Sequence, residues 1–400
     1  MATCPPFKVA VLVPDGAADR PLDELNGRTP LEAASIPRMD EVARLGRIGT
    51  MATVPPGMPA GSDVANLSLL GYDPRTHYGG RAPIEAANLG IEIPPGWTAF
   101  RCNLVSTDGE RMLDYSAGHI GGEAAAGAVA RLQEALGDAH TRFFPGRSYR
   151  NIVLVEGDFR ALECTPPHDI TGELLVAHLP GGDGAARIID LMERSREALA
   201  PSADGGRPGA DMVWLWGQGT AMKLEPFAEL HGLEGGVISA VDLVCGLGLL
   251  AGLEVIEVPG ITGYLDTNYR GKGAAAVVAL QERDFVFVHV EATDEASHMG
   301  SIEEKVTALE RFDEFVAGPV LRFLKEGGHP YRLAVCPDHP TLISTRTHDP
   351  APVPYAACGA GIEPSGANSF SEETARGGGP AFDEGWRMMH HLTGAVSWCE

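Results

Sequence analysis

The chain has 400 residues, of which 44% are hydrophobic and 21% charged, and a formal net charge of −23; this is the texture of a soluble globular protein with one large domain or two medium ones. Such a charge excludes a nucleic-acid backbone as partner, because that needs a basic face, and an anionic substrate would require bound cations to offset it locally. The seven scattered cysteines form no CxxC pair, which excludes a disulfide framework and a structural zinc site. The opening Met-Ala-Thr-Cys-Pro-Pro has no signal-peptide pattern, and no apolar run is long enough to span a membrane, so the expected setting is the cytoplasm, with no membrane partner.

In chain order, Phe7 to Val13 is a continuous apolar, β-branched run that ends in Pro14-Asp15-Gly16. It predicts a central parallel strand with an acid at its carboxyl end. Pro37 to Leu45 reads as a helix with Asp40 and Arg44 at i,i+4. Pro and Gly break the segment Val54 to Gly61 before a second helix from Val64 to Leu70, so Ser62 falls at a loop-to-helix junction where free N–H groups favour an anion. Ala99 to Thr107 and Asn151 to Glu156 read as strands around an Ala-rich helix near Glu123 to Leu136, and Leu179 to Asp183 and Pro201 to Ala210 are rich in Asp, Gly and Pro. We therefore place an inserted α+β domain at 98–208 and the main domain at 1–97 plus 209–400.

Beyond the insert, strand and helix alternate again. Met212–Trp216, Val237 onward, Glu254–Val258, Asp284–Val290 and Arg332–Cys336 read as strands; Ala274–Glu282 and Ile302–Leu324 read as helices. That rhythm predicts an α/β fold with a doubly wound, mostly parallel sheet and ligands at its carboxyl edge. Ala375 to Gly379 reads as a loop before a last helix.

Acids and histidines fall where those strands end. Asp15 follows the first strand, Asp294 and His298 follow Asp284–Val290 at helical i,i+4 spacing, Asp338 and His339 follow Arg332–Cys336, and His348 lies nine residues further on. On parallel strands these three carboxylates and three imidazoles converge, more than one ion needs and suited to two divalent cations. A lone Gly-Ser-Asp is a helix cap; beside such a centre, Ser62 becomes a candidate nucleophile whose hydroxyl a metal activates.

Several motifs carry a resemblance: Pro14-Asp15-Gly16, Gly61-Ser62-Asp-Val-Ala-Asn66 through Pro74, Gly80-Arg81-Ala-Pro-Ile-Glu85, Phe100-Arg101-Cys-Asn103, Asp294-Glu-Ala-Ser-His298 and Asp338-His339-Pro-Thr. Over essentially the whole chain, it resembles the archaeal-type 2,3-bisphosphoglycerate-independent phosphoglycerate mutases of the alkaline phosphatase superfamily. The resemblance implies one metal held by Asp294, His298 and His348 and a second held by Asp15, Ser62, Asp338 and His339. The ions would be manganese, or magnesium, cobalt or zinc, with no 2,3-bisphosphoglycerate as cofactor. Ser62 would carry the phosphoryl group as a phosphoserine, Asn66 and Lys223 would contact that group, and Arg101, Arg150 and His168 would grip a small phosphorylated or hydroxyl-bearing metabolite.

The chain departs from the family at Asp114-Tyr115-Ser116-Ala117-Gly118-His119-Ile120, where the mutases carry an Arg-rich run suited to carboxylate or phosphate. Trp214–Gly219 and Val237–Val244 also resemble a bacterial branch that includes proposed homoserine kinases. Interconversion of 2- and 3-phosphoglycerate is the leading expectation. Phosphorylation of homoserine is the alternative, and a phosphatase or a non-catalytic metal-binding protein stands behind both. Arg142, Arg147 and Arg150 are nearby in sequence, so a relocated arginine grip would account for the same departure.

Overall fold

A computed structural model describes residues 7–199 and 209–398; most of the expected joint at Pro201–Ala210 lies outside them. In chain order the strands are β1 (Lys8–Pro14), β2 (Arg47–Met51), β3 (Trp97–Thr107), β4 (Met112–Asp114), β5 (Thr141–Arg147), β6 (Arg150–Glu156), β7 (Met212–Gly219), β8 (Gly235–Ile238), β9 (Glu254–Val255), β10 (Phe285–Val290), β11 (Tyr331–Val335), β12 (Thr341–Leu342), β13 (Thr347–His348) and β14 (Val353–Gly359). The chain divides into two compact units, 1–78 with 224–400, and 79–223.

The first unit is built on a seven-stranded sheet in the order β2-β14-β11-β1-β10-β8-β9. Strand β1 pairs in parallel with both β10 and β11, and β14 runs antiparallel to its two neighbours. Every residue of β10 is buried, as are Val9 to Pro14 of β1, which is why these runs are apolar without alternation. Leu12, Val288 and Val335 share a core with the helices Pro37–Leu45, Tyr269–Glu282 and Ile302–Phe312. The expected single helix from Ile302 to Leu324 is interrupted by a π-helical turn at Asp313–Ala317 before it resumes at Gly318–Glu326. The Asp313 carboxylate accepts hydrogen bonds from the Arg38 and Met39 amides and so caps the helix Pro37–Leu45.

The second unit is α+β. Strand β3 pairs antiparallel with β4, β6 and β7, and β6 with β5. The helices Gly122–Leu136 and Ala185–Ala198 pack on it through Ala125, Val129, Leu132, Ile188 and Met192. Two expectations are corrected here. Met212–Trp216 does not rejoin the parallel sheet; it lies antiparallel to β3, so the unit extends from 79 to 223 rather than 98 to 208. A short apolar run buried on both faces suits the middle of either sheet, and its sequence does not choose between them. In the first unit, Ala375–Gly379 is not simply a loop. Glu372–Gly378 is helical because the Ser371 hydroxyl accepts from Thr374 N, and Glu372 and Glu373 occupy the first turn.

Candidate active site

The carboxyl ends of β11, β1 and β10 lie side by side in the sheet, so residues far apart in sequence meet where these strands stop. Asp15 follows β1, the helix Ala292–Met299 that follows β10 bears Asp294 and His298, and the turn after β11 bears Asp338 and His339. His348 arrives on the small β12–β13 hairpin, where it pairs with Thr341. Gly16 makes the approach possible. Its φ is +62°, and a Cβ there would stand 2.5 Å from Asp294 Oδ1 and from Thr341 Oγ1. The Gly16 amide also donates to Asp338 Oδ1 at 3.1 Å.

All seven expected metal-site residues converge within this unit. His298 Nε2 lies 3.1 Å from Asp294 Oδ2 and 3.0 Å from His348 Nε2. His298 Nδ1 faces the Arg346 carbonyl at 2.9 Å, and His348 Nδ1 faces the Ala60 carbonyl at 3.0 Å. Those carbonyls accept Nδ1–H and turn both Nε2 lone pairs toward one point, an arrangement that only a proton or a cation satisfies. His339 Nε2 is 3.2 Å from Ser62 Oγ, 3.6 Å from Asp15 Oδ1 and 3.5 Å from Asp338 Oδ2.

Two sets of ligand atoms each fall within 4.8 Å of one another: Asp294, His339 and His348, and Asp15, His289 and Asp338. The buried Oδ1 atoms of Asp15 and Asn66 have no hydrogen-bond partner. A divalent cation fits such a donor set, since orphaned buried oxygens are costly.

The electrostatics agree. Burial, then the nearby Asp338 and Asp294, push the Asp15 carboxyl well above the usual carboxylate range. Burial also acts to raise Asp294, but hydrogen bonds from His298 and His348 outweigh it and hold that carboxyl well below its usual range.

Ser62 opens the helix Ser62–Leu69, whose N-cap Gly61 offers no side chain, so the first amides of the helix remain available to an anion. Asn66, one turn on, donates to Ser62 O and to Asp338 Oδ2, both at 2.9 Å, and so ties the helix that Ser62 opens to the β11 turn. Lys223 is not among these converging residues; it is exposed at the end of the second unit.

Arg101, Arg150 and His168 belong to the second unit, where they come together with Arg81. Arg101 is buried, paired with Glu85 at 3.0 Å, and its guanidinium lies 4.2 Å from the centre of the Trp216 ring. Arg81 lies over the same ring at 5.8 Å, and Arg150 over Tyr149 at 5.0 Å. His168 packs edge-on against Trp216 and Tyr115. Burial lowers Arg101 to about 10, with Arg81 and Arg150 acting in the same direction against Glu85. Partial desolvation against Trp216 and Tyr115 lowers His168 to about 4, assisted by Arg81, Arg101 and Arg150, although 45% of its side chain remains exposed. Three arginines thus crowd a neutral imidazole on an aromatic floor, a setting for a bidentate anion.

The segment Asp114–Ile120 is closed on itself instead: the Asp114 carboxylate accepts from Ser116 N, Ser116 Oγ and Gly118 N, while Ala117 and His119 have positive φ. Arg150 joins Arg81 and Arg101 around His168, whereas Arg142 stacks on Trp97 instead.

Sequence reasoning missed two residues here, His289 and Arg81. His289 ends the run Phe-Val-Phe-Val-His and reads as core. Arg81 stood in a quoted motif without a role.

A serine at a helix N-terminus, beside buried carboxylates and imidazoles at the carboxyl edge of a doubly wound sheet, has the layout of a phosphoryl-transfer centre. Comparison with known proteins takes this further. A family model described as 2,3-bisphosphoglycerate-independent phosphoglycerate mutase matches residues 43–203. A protein of that name from Methanothermobacter thermautotrophicus is 49% identical over 96% of both chains, and one from Methanosarcina barkeri is 48% identical over 93% of this chain and 96% of its own. Among solved structures, a Pyrococcus horikoshii protein superposes with a TM-score of 0.81 at 28% identity, covering 98% of this chain and 99% of its own. The cofactor-independent phosphoglycerate mutase of Thermoplasma acidophilum gives 0.65 at 26% identity, covering 97% and 99%. The chain belongs to the family of 2,3-bisphosphoglycerate-independent phosphoglycerate mutases.

Proposed function

We propose that this protein interconverts 2- and 3-phosphoglycerate through a phosphoserine on Ser62, with two divalent cations and no bisphosphoglycerate cofactor, in the cytoplasm. The observation that carries the reading is the Ser62 hydroxyl, 3.2 Å from His339 Nε2 inside a cluster of buried acids and imidazoles. Asp294, His298 and His348 would hold one ion, and Asp15, Asp338 and His339, with Ser62 itself, the other. When bound, such ions lower the pKa of a hydroxyl and offset the charge of phosphoryl oxygens.

Ser62 Oγ attacks phosphorus; the Oγ–P bond forms as the P–O bond to one glycerate oxygen breaks. That oxygen keeps the electron pair and takes up the proton that the Ser62 hydroxyl gives up. The neighbouring glycerate hydroxyl then attacks the phosphoserine, loses its proton and regenerates Ser62, so the net change is isomerisation with no co-reactant. The first amides of Ser62–Leu69 hold the transferring group. Asn66 keeps that helix in register with Asp338. Arg81, Arg101 and Arg150 take the anionic groups of the metabolite, with His168 kept neutral among them. Lys223 remains a candidate partner of the phosphoryl group.

The relatives reported above are named as mutases, and a grip of three arginines suits the anionic phosphoglycerates better than it suits a zwitterion such as homoserine. The test is to supply 3-phosphoglycerate alone to the purified, manganese-loaded protein. Formation of 2-phosphoglycerate, with phosphate trapped on Ser62 by acid quench, is expected. Turnover of homoserine with ATP and none of 3-phosphoglycerate would overturn the reading.

A further inference from the structure

We propose that His289 is a nitrogen ligand of the cation bound by Asp15 and Asp338, an inference that rests on the cation centre of the preceding section. His289 is wholly buried on β10, in register with Val13 of β1, two residues before Asp15. A ring nitrogen of His289 and one carboxylate oxygen each of Asp15 and Asp338 lie within 4.8 Å of one another, and Nε2 is 2.9 Å from Asp15 Oδ2.

Two of these buried atoms lack partners. His289 Nε2 has none, although Asp15 Oδ2 is only 2.9 Å away, because an N–H on that nitrogen would not point at the oxygen. Asp15 Oδ1 has none either. An imidazole nitrogen and a carboxylate at that separation without an aligned hydrogen bond are placed as two ligands of one ion. On its other side, His289 Nδ1 is 3.2 Å from Ser239 Oγ, which also receives the Val241 amide at 3.0 Å. With the proton on Nδ1 and directed to Ser239, the Nε2 lone pair faces the carboxylates. Lys272 Nζ donates to the carbonyl of His289 itself at 2.8 Å and holds the end of β10 in place.

The rival arrangement has Ser239 donating to Nδ1 and Nε2–H donating to Asp15, so that His289 only orients a ligand. It requires the aligned bond that the geometry lacks. A nitrogen donor at this position biases the Asp15 ion toward manganese, cobalt or zinc rather than magnesium or calcium.

The test uses metal binding, not turnover. Equilibrium dialysis with cobalt, read by metal analysis, is expected to give two ions per wild-type chain. In His289→Gln one ion is expected to lose more than the roughly 10- to 100-fold in affinity that loss of a merely orienting residue costs, while the other is unchanged. Unchanged affinity for both ions in a folded His289→Gln overturns the inference but leaves the proposed function standing. A wild-type chain that binds no cobalt overturns both. Should His289→Gln fail to fold, proton NMR of the cobalt-loaded wild type decides. Strongly shifted imidazole N–H signals from His289, His298, His339 and His348 are expected, and the absence of the His289 signal rejects the assignment.

Discussion

The two units hold their charged side chains by opposite means. In the first, the candidate ligands come from strand ends and from the turns and helices that follow them, are mostly buried, and are held in part by backbone carbonyls and amides. Arg346 O and Ala60 O aim two imidazoles, and Gly16 N and His339 N hold Asp338. In the second, the charged groups rest on aromatic faces, and Arg150 and His168 are exposed. The proposed centre, two cations beside a nucleophile, would need fixed distances. A grip that must release its product does better with side chains that keep contact with water.

That contrast can be broken at several points, of which the most severe is Ser62→Ala. It should reduce turnover by roughly 10^4-fold or more while leaving the thermal transition in place, because it removes the covalent step alone. Substantial activity in that variant would move the nucleophile elsewhere. Chelation should abolish activity, with recovery on adding manganese or cobalt; activity that survives complete metal removal would dissolve the distinction between the two regions.

Behind the cluster of acids and imidazoles, Lys305 and Asp19 form a wholly buried pair at 2.8 Å, and Lys305 also donates to Thr341 O at 2.8 Å. Lys305→Met strands the Asp19 carboxylate and should cost about 3–5 kcal/mol by chemical denaturation. Arg150→Ala, in the exposed grip, should raise KM roughly 10- to 100-fold with a smaller change in kcat and no measurable loss of stability; a selective fall in kcat would place Arg150 in the transferring step instead.

The smallest effect should come from Asp313, whose carboxyl burial raises to about 6 in spite of the Met39 and Arg38 amides. The folded pKa exceeds the unfolded one, so the contribution is full below about pH 4 and is lost as pH rises through about 6. The melting temperature of the wild type relative to Asp313→Asn should therefore fall by roughly a degree or two between pH 4.5 and pH 7.5; a difference that grows with pH would reverse the assignment.

The residues that meet at the sheet edge were legible because acids and imidazoles directly after apolar strands are costly unless they work together. Asp15, Asp294 and Asp338 announce themselves in this way. His289 did not, since a single imidazole inside an apolar strand reads as core until its neighbours across the sheet are known. The second unit was less readable. Its arginines come from the helix Arg81–Asn88 and from β3 and β6, and only the antiparallel pairing of β3 with β6 and β7 brings Arg101, Arg150 and Trp216 together. The strand expected at Met212–Trp216 falls in a different sheet for the same reason, because pairing partners are set by contacts distant in sequence.

Gly16 carries a consequence of its own. Its amide grips Asp338, while the space its missing side chain leaves is filled by Asp294 and Thr341. One ligand from each proposed cation position thus leans on the same residue, which acts as the spacer between them. The separation of the two ions is then a property of one turn, and neither position can drift during evolution without the other. Retuning this centre for a longer or shorter transfer would have to begin there, at the residue with the least chemistry.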